Sequence, residues 1–428
     1  MNRGLKKTAG WLAVLGVLTL ALHGAPEVRD PLREKAAAGD AEAAFFLGNE
    51  YYYGENRPAN HTLAAYWFLK AAEKGIPEAQ FNYASCLETG NGVRQDPSAA
   101  FSWYKKSADR NFEPAMFRIA RFYAAGLRGP DGKPILLADH AAAVEMLEKL
   151  AQREYEPAEL ELASLRMDRR ASSADHRYAC RLLRKITARK KYSPEALRML
   201  ADCLFSGLGC EPDPAKAAEL LKRASDLGDP EAMAKMGFLY EYGKEVRPDP
   251  KLALEYYRKA AEAGHPMAQF KYAEAIAEGA VPGKKLGDAL RWYRSSAEQH
   301  CPQALFRLGV LYYEGTGVTK DLRQAAQYFF RAAKTGYPRA QFNLANMFDN
   351  GEITGKPDRE AAFYWYMECA KSGDTRAQRL VAERYLKGLG VERSISNAEK
   401  WLRAAAENGD PAAAQMLGAL QQTVYGGF

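Results

Sequence analysis

The chain has 428 residues, 47% hydrophobic and 26% charged, with a formal net charge of +7. That composition excludes a disordered or membrane-embedded chain, and the length exceeds the ~250–300 residues that one core can serve, so several domains or a one-dimensional array is required. A bulk polyanion binder is excluded too, because losing the three basic residues of the N-terminal leader brings the balance near +4; no nucleic acid is expected as a partner.

Residues 1–25 read as a secretory signal peptide: Arg3, Lys6 and Lys7 precede an apolar run from Trp11 to Leu22, and Gly24 and Ala25 follow. The run is shorter than the ~20 residues a spanning helix needs, which favours cleavage and a periplasmic or secreted protein. An uncleaved leader would leave a membrane-anchored one. Export permits disulfides, and Cys203 and Cys210 are the cysteines closest in sequence, a possible disulfide. Cys86, Cys180, Cys301 and Cys369 are scattered singly and read as small buried residues.

Residues 26–421 form an array, and 422–428 a short tail. The strings AQFNYA (79–84), AQFKYA (268–273), ALFRLG (304–309) and AQFNLA (340–345) set a frame of leading alanines at 43, 79, 115, 158, 196, 232, 268, 304, 340, 377 and 413, most of them 36 residues apart. A glycine follows eleven residues later in nearly every unit, from Gly54 and Gly90 to Gly388, and stops a first helix. A short polar residue then caps a second helix: Asn60, Asp96, Asp139, Asp175, Asp213, Asp249, Asp321, Asp358 and Ser394. Each second helix carries an alanine and then a bulky pair such as Trp67-Phe68, and ends at a glycine with proline two residues on. These signals predict an all-α, right-handed α-solenoid of about ten helix-turn-helix units, capped by helices near Arg33–Ala38 and Ala412–Gln421.

Two places break the frame. Unit three inserts seven residues in its long turn, Arg128-Gly-Pro-Asp-Gly-Lys-Pro134 through Leu137, a partner-binding loop candidate with Arg128, Asp131 and Lys133, with a tolerated surface loop as the alternative. In unit four, ten Lys and Arg face two Asp between Arg166 and Lys191, and Arg177, Arg181, Lys185 and Arg189 recur every four residues on the second helix. Like charges at that spacing repel, so the stripe is a candidate surface for an acidic partner or an anionic membrane, with a merely solvated face as the alternative.

The segments GTGV-x-x-D…A…Y-F-x-x-A-A at 315–333 and GVRQD…AA-x-x-W-Y at 92–104 resemble the Sel1-like repeat family, relatives of the tetratricopeptide class. The resemblance implies a superhelix with first helices on its concave face and a role as an adaptor that organises protein complexes. It implies no chemistry.

Enzyme-like strings dissolve in this frame. Ser102-Trp103-Tyr104-Lys105 and Lys334-Thr335-Gly336 match fragments of the penicillin-recognising signature, yet six units of stacking would separate them by roughly 50 Å. The histidines lack metal-ligand spacing and no phosphate loop is present, so no catalytic, cofactor-binding or metal residues are expected. The reading is an exported non-catalytic scaffold binding proteins or peptides; the alternative is a cell-envelope hydrolase or glycan-modifying accessory, which would need a pocket of convergent titratable groups.

Overall fold

Small residues at the seams allow helices to approach, and in the computed structural model all eleven framing alanines are buried, none more than 5% exposed. The structure describes residues 30–168, 171–243 and 246–425. The predicted leader lies outside them. Two compact units divide between Ala171 and Ser172.

The first unit comprises α1 (Pro31–Ala37), α2 (Ala41–Tyr53), α3 (His61–Glu73), α4 (Pro77–Thr89), α5 (Pro97–Ala108), α6 (Glu113–Ala125), a hairpin of β1 (Leu127–Arg128) and β2 (Pro134–Leu136), α7 (His140–Gln152) and α8 (Glu156–Arg166). The second begins with α9 (Ser173–Thr187), α10 (Pro194–Ser206), α11 (Pro214–Asp226), α12 (Pro230–Tyr242), α13 (Pro250–Glu262), α14 (Pro266–Ala277) and α15 (Leu286–Glu298). It continues through α16 (Pro302–Glu314), α17 (Leu322–Lys334), α18 (Pro338–Asp349), α19 (Arg359–Lys371), α20 (Thr375–Lys387), α21 (Ile395–Glu407) and α22 (Pro411–Tyr425). Within each unit consecutive helices pack as an all-α solenoid, and the closing helix runs past Gln421.

The helix starts follow the capping chemistry. Asn60, Asp96, Asp139, Asp213, Asp249, Asp321, Asp358 and Ser394 each accept a backbone N–H with the side chain. Unit four differs: Ser172 caps α9, and Asp175 is the third residue of a capping box, accepting in return from the Ser172 N–H. The expectation of Asp175 as the cap is thereby corrected; serine three residues upstream completes the reciprocal pair.

The recurrent glutamine after the leading alanine also has a structural role. Gln80, Gln269, Gln341 and Gln378 are buried and donate Nε2 to the carbonyls of Ala72, Ala261, Ala333 and Ala370 at 3.2–3.3 Å. Each fills an orphan acceptor near the C-terminus of the preceding second helix. Behind it, Ser107 and Ser296 donate to the carbonyls of Pro77 and Pro266 at 2.7 Å, and Cys369 lies 3.4 Å from that of Pro338.

Large second-helix side chains fill the space between first helices: Phe68, Tyr104, Tyr293 and Phe329 are at most 2% exposed. Burial of each ring contributes roughly 1.5–3 kcal/mol. Where the ring presses closest, the first helix carries glycine: a Cβ at Gly48, Gly237 or Gly309 would come within 2.6–2.7 Å of Phe68, Tyr257 or Phe329.

Candidate functional site

The first helices are stitched together by a recurring group of three side chains. In the first unit Tyr104 of α5 donates to Glu88 of α4, and Arg118 of α6 pairs with the same carboxylate. In the second, Tyr257 donates to Glu241 at 2.5 Å while Lys271 approaches it at 2.8 Å. Tyr293 and Arg307 share Glu274 in the same way. Arg384 pairs with Asp349 at 2.5 Å, its guanidinium 4.7 Å from the centre of the Tyr366 ring.

Electrostatics follow from this sharing. Burial, and then the Glu241 carboxylate, push the Tyr257 phenol well above its ordinary value. Burial alone would raise Glu241, but hydrogen bonds from Lys271 and Tyr257 hold it below the usual carboxylate range. Each carboxylate holds a cation of the next first helix, so what these groups do is fix the spacing of neighbouring first helices. Among the described residues no group of three His, Cys, Asp or Glu is placed to hold a metal.

Between the stitched positions the first helices leave aromatic recesses. One in the first unit, about 570 Å³, is bordered by Phe46, Asn49, Tyr53, Asn82 and Phe112. A second-unit recess of about 500 Å³ is lined by Phe205, Leu221, Phe238, Leu239 and Tyr242, with Lys235 at its border. Phe238 and Tyr242 stand more than half exposed, their ring centroids 4.4 Å apart. Lys235 is held by both oxygens of Asp202 at 2.7 Å, which leaves the recess predominantly apolar.

The residues singled out by sequence fall as follows. Arg177, Arg181 and Lys185 lie exposed on α9, but the helix ends at Thr187 and places Arg189 beyond it, half-buried. The stripe thus has three helical members; the C-cap at Ala188 turns the chain before a fourth can align.

The inserted turn of unit three is a β-hairpin, which the sequence signals did not show. Arg128 donates to the Gly132 carbonyl, Asp131 accepts from the Lys133 backbone and pairs with its ammonium at 3.6 Å, and Gly129 bonds to Lys133 across the tip. Those three candidates serve the hairpin's own shape, while Ile135 and Leu137 beside them are exposed.

Cys203 and Cys210 both stand as thiols, the first buried and the second half-buried. No disulfide joins this possible pair in the structure, and the neighbouring cysteine that acts on the Cys210 thiol, after burial, is Cys180. Ser102 turns its hydroxyl back to the Ser98 carbonyl at 3.0 Å, and Lys334 stacks over Phe330, so each enzyme-like string is ordinary helix surface. Sequence reasoning missed the tyrosine–acid–cation groups, whose members belong to different repeats.

The Sel1 repeat family model matches residues 41–76, 77–112, 113–155, 194–229, 230–265, 266–301, 302–337, 338–374 and 375–410. It passes over 156–193, where α8 and α9 nevertheless form. Among solved structures, c5321, a protective antigen of uropathogenic Escherichia coli with an SLR fold, is 27% identical with a TM-score of 0.52, over 92% of this chain and 85% of that one. A Sel1 repeat protein from Oxalobacter formigenes, 23% identical, covers 91% and 90% with a TM-score of 0.50 and shares the fold.

Among curated proteins, chitin synthase regulator SKT5 of Saccharomyces cerevisiae is 25% identical over 52% of this chain and 38% of its own length. Chitin synthase regulatory factor 3 of Schizosaccharomyces pombe is 38% identical over 21% of this chain and 10% of its own length. The chain therefore spans less than half of these relatives. The exopolysaccharide production negative regulator of Rhizobium leguminosarum is 31% identical over 44% of this chain and 70% of its own length.

Proposed function

Because the chain belongs to the Sel1 repeat family, a protein-interaction scaffold, we propose that it is an exported, non-catalytic adaptor that binds proteins or peptides along its first-helix face. The observation that carries this reading is the second-unit recess: Phe238 and Tyr242 expose large rings above apolar walls while the charged groups beside them are paired internally. Rigid aromatics around an apolar depression are the usual anchors of peptide recognition. A hydrolase would need titratable groups converging on a cleft, whereas the perturbed groups here stitch repeats together.

Export rests on the leader at 1–25 and accords with the likeness to c5321, described as a protective antigen. The names of the SKT5, factor 3 and Rhizobium relatives favour a partner within a polysaccharide-producing assembly. Helix α9 would add an electrostatic contact to an acidic partner or anionic headgroups.

The test is co-purification from an envelope fraction with the Phe238→Ala/Tyr242→Ala double variant. Loss of the captured partners at an unchanged melting temperature supports the adaptor; an unchanged set of partners refutes recognition through this recess. N-terminal sequencing of the same sample, expected to begin after Ala25, tests export separately.

A further inference from the structure

The turn after α10 is built against the start of α9. At Gly209, whose φ is +76°, a Cβ would collide with the His176 carbonyl, so the chain there lies directly on the first turn of α9. The same seat occurs at Gly92 against His61 and at Gly390 against Arg359. The residue after the seated glycine packs inward. In the first unit Val93 does so, joining buried Ala65 of α3 and Cys86 of α4 in one apolar cluster. In the second unit Val318 packs with Leu290 of α15 and Leu311 of α16.

The corresponding three positions in the α9–α10 repeat are all cysteine. Cys180 stands where Ala65 and Leu290 stand, Cys203 where Cys86 and Leu311 stand, and Cys210 where Val93 and Val318 stand. The repeat geometry therefore gathers three thiols where the other repeats have one apolar cluster, and Cys180 is the neighbour that acts on the Cys210 thiol. Cys180 is 2% exposed and Cys203 fully buried, while Cys210 retains solvent access.

We infer that Cys180 and Cys210 are a redox pair, forming a disulfide that ties the second helix of one repeat to the turn of the next, with Cys210 as its point of entry. The oxidant is a small-molecule disulfide such as glutathione disulfide. The Cys210 thiolate attacks one of its sulfurs, forming a protein–glutathione disulfide and releasing one glutathione thiolate. The Cys180 thiolate then attacks Cys210 Sγ and expels the second. Two cysteine thiols have lost two electrons and two protons; the glutathione disulfide has gained both as two thiols. Burial, and then the neighbouring Cys180, raise the Cys210 thiol to about 11, so attack is slow at neutral pH and quickens as pH rises.

The test uses the full chain, incubated with excess glutathione disulfide, alkylated and digested with trypsin. Cleavage at Arg177, Arg181, Arg198 and Lys216 leaves Cys180 on one peptide and both Cys203 and Cys210 on another. The expected product is a link between the two peptides, with fragment ions placing it at Cys210. It persists in Cys203→Ser, and Cys180→Ser instead accumulates glutathione on Cys210. Oxidation also raises the melting temperature of the unaltered chain and of Cys203→Ser, but not of Cys180→Ser or Cys210→Ser. A loop link within the second peptide, a link at Cys203, stable glutathione on Cys210 of the unaltered chain, or full alkylation of all three thiols would each overturn the inference. The buffer sets the potential, so the outcome is independent of whether the chain is exported.

Discussion

Lys271 holds Glu241 across the boundary between two successive first helices, Nζ 2.8 Å from Oε1, while Tyr257 reaches the same carboxylate from the second helix between them. The carboxylate is the hub. Glu241→Ala leaves a largely buried phenol without its acceptor and the Lys271 ammonium with only the Tyr242 hydroxyl, at a cost of ~1–3 kcal/mol. Tyr257→Phe removes one donor and leaves the ion pair, costing about 1 kcal/mol. In a denaturant titration the double variant is expected to lose less than the two single losses combined, since both act on one group. Full additivity would show that the three side chains do not work as a unit.

Gly309 faces the Phe329 ring so closely that a Cβ would stand 2.6 Å from its edge. In an open helix, alanine for glycine stabilises by about 1 kcal/mol. At this site Phe329 is 1% exposed and has no free space to retreat into. Gly309→Val is therefore expected to destabilise by roughly 2–3 kcal/mol through overpacking. The control is Gly287, where an added Cβ would meet nothing within 4 Å: Gly287→Ala is expected to stabilise. Equal melting temperatures for Gly309→Val and the parent would refute the packing argument.

These features were unequally legible in the sequence. The alanine frame and all but one helix cap follow from local spacing, because a cap and the N–H it satisfies are three residues apart. The stitching groups do not: Arg118 and Lys271 meet their acids 30 residues away, and Arg384 meets Asp349 35 residues away. No local pattern marks such a pair, though charged residues at the same place in successive repeats were the available signal. The hairpin escaped because ladders of two and three residues are too short for an alternating pattern. The proximity of Cys203 to Cys210 in sequence drew attention from Cys180, whose repeat lacks the glycine of the frame.

The stability profile is expected to have an acid and an alkaline limb. Glu241 and Glu231 sit below their ordinary 4.5 in the fold, the first through Lys271 and Tyr257 against the effect of burial, the second chiefly through its bond to His265. Their contribution is complete above about pH 4.5 and fades as pH falls through the folded-state values. Cys369 runs the other way: burial lifts it from 9.0 to about 12, so its contribution is complete below 9 and declines as pH rises toward 12. Serine occupies the corresponding place at Ser107 and Ser296 and donates to a proline carbonyl. Cys369→Ser is therefore expected to stay within about 1 kcal/mol of the parent at pH 7 and to soften the alkaline limb. A pH series of thermal melts with an unaltered limb would show that the Cys369 thiol does not set it.

Helix α9 offers opposite signs for stability and binding. Arg177, Arg181 and Lys185 line one exposed stripe at four-residue spacing, and each like-charge pair costs ~0.2–0.5 kcal/mol. Arg181→Glu converts two repulsive neighbours into attractive ones, so the melting temperature should hold or rise slightly. If the stripe docks on an acidic partner or anionic headgroups, the same change removes two units of positive charge from the contact. Arg181→Glu/Lys185→Glu should then lose binding to vesicles rich in phosphatidylserine or to acidic captured proteins, and parent binding should weaken steeply with salt. Binding that survives the reversal at unchanged salt dependence assigns α9 to the solvent-facing surface alone.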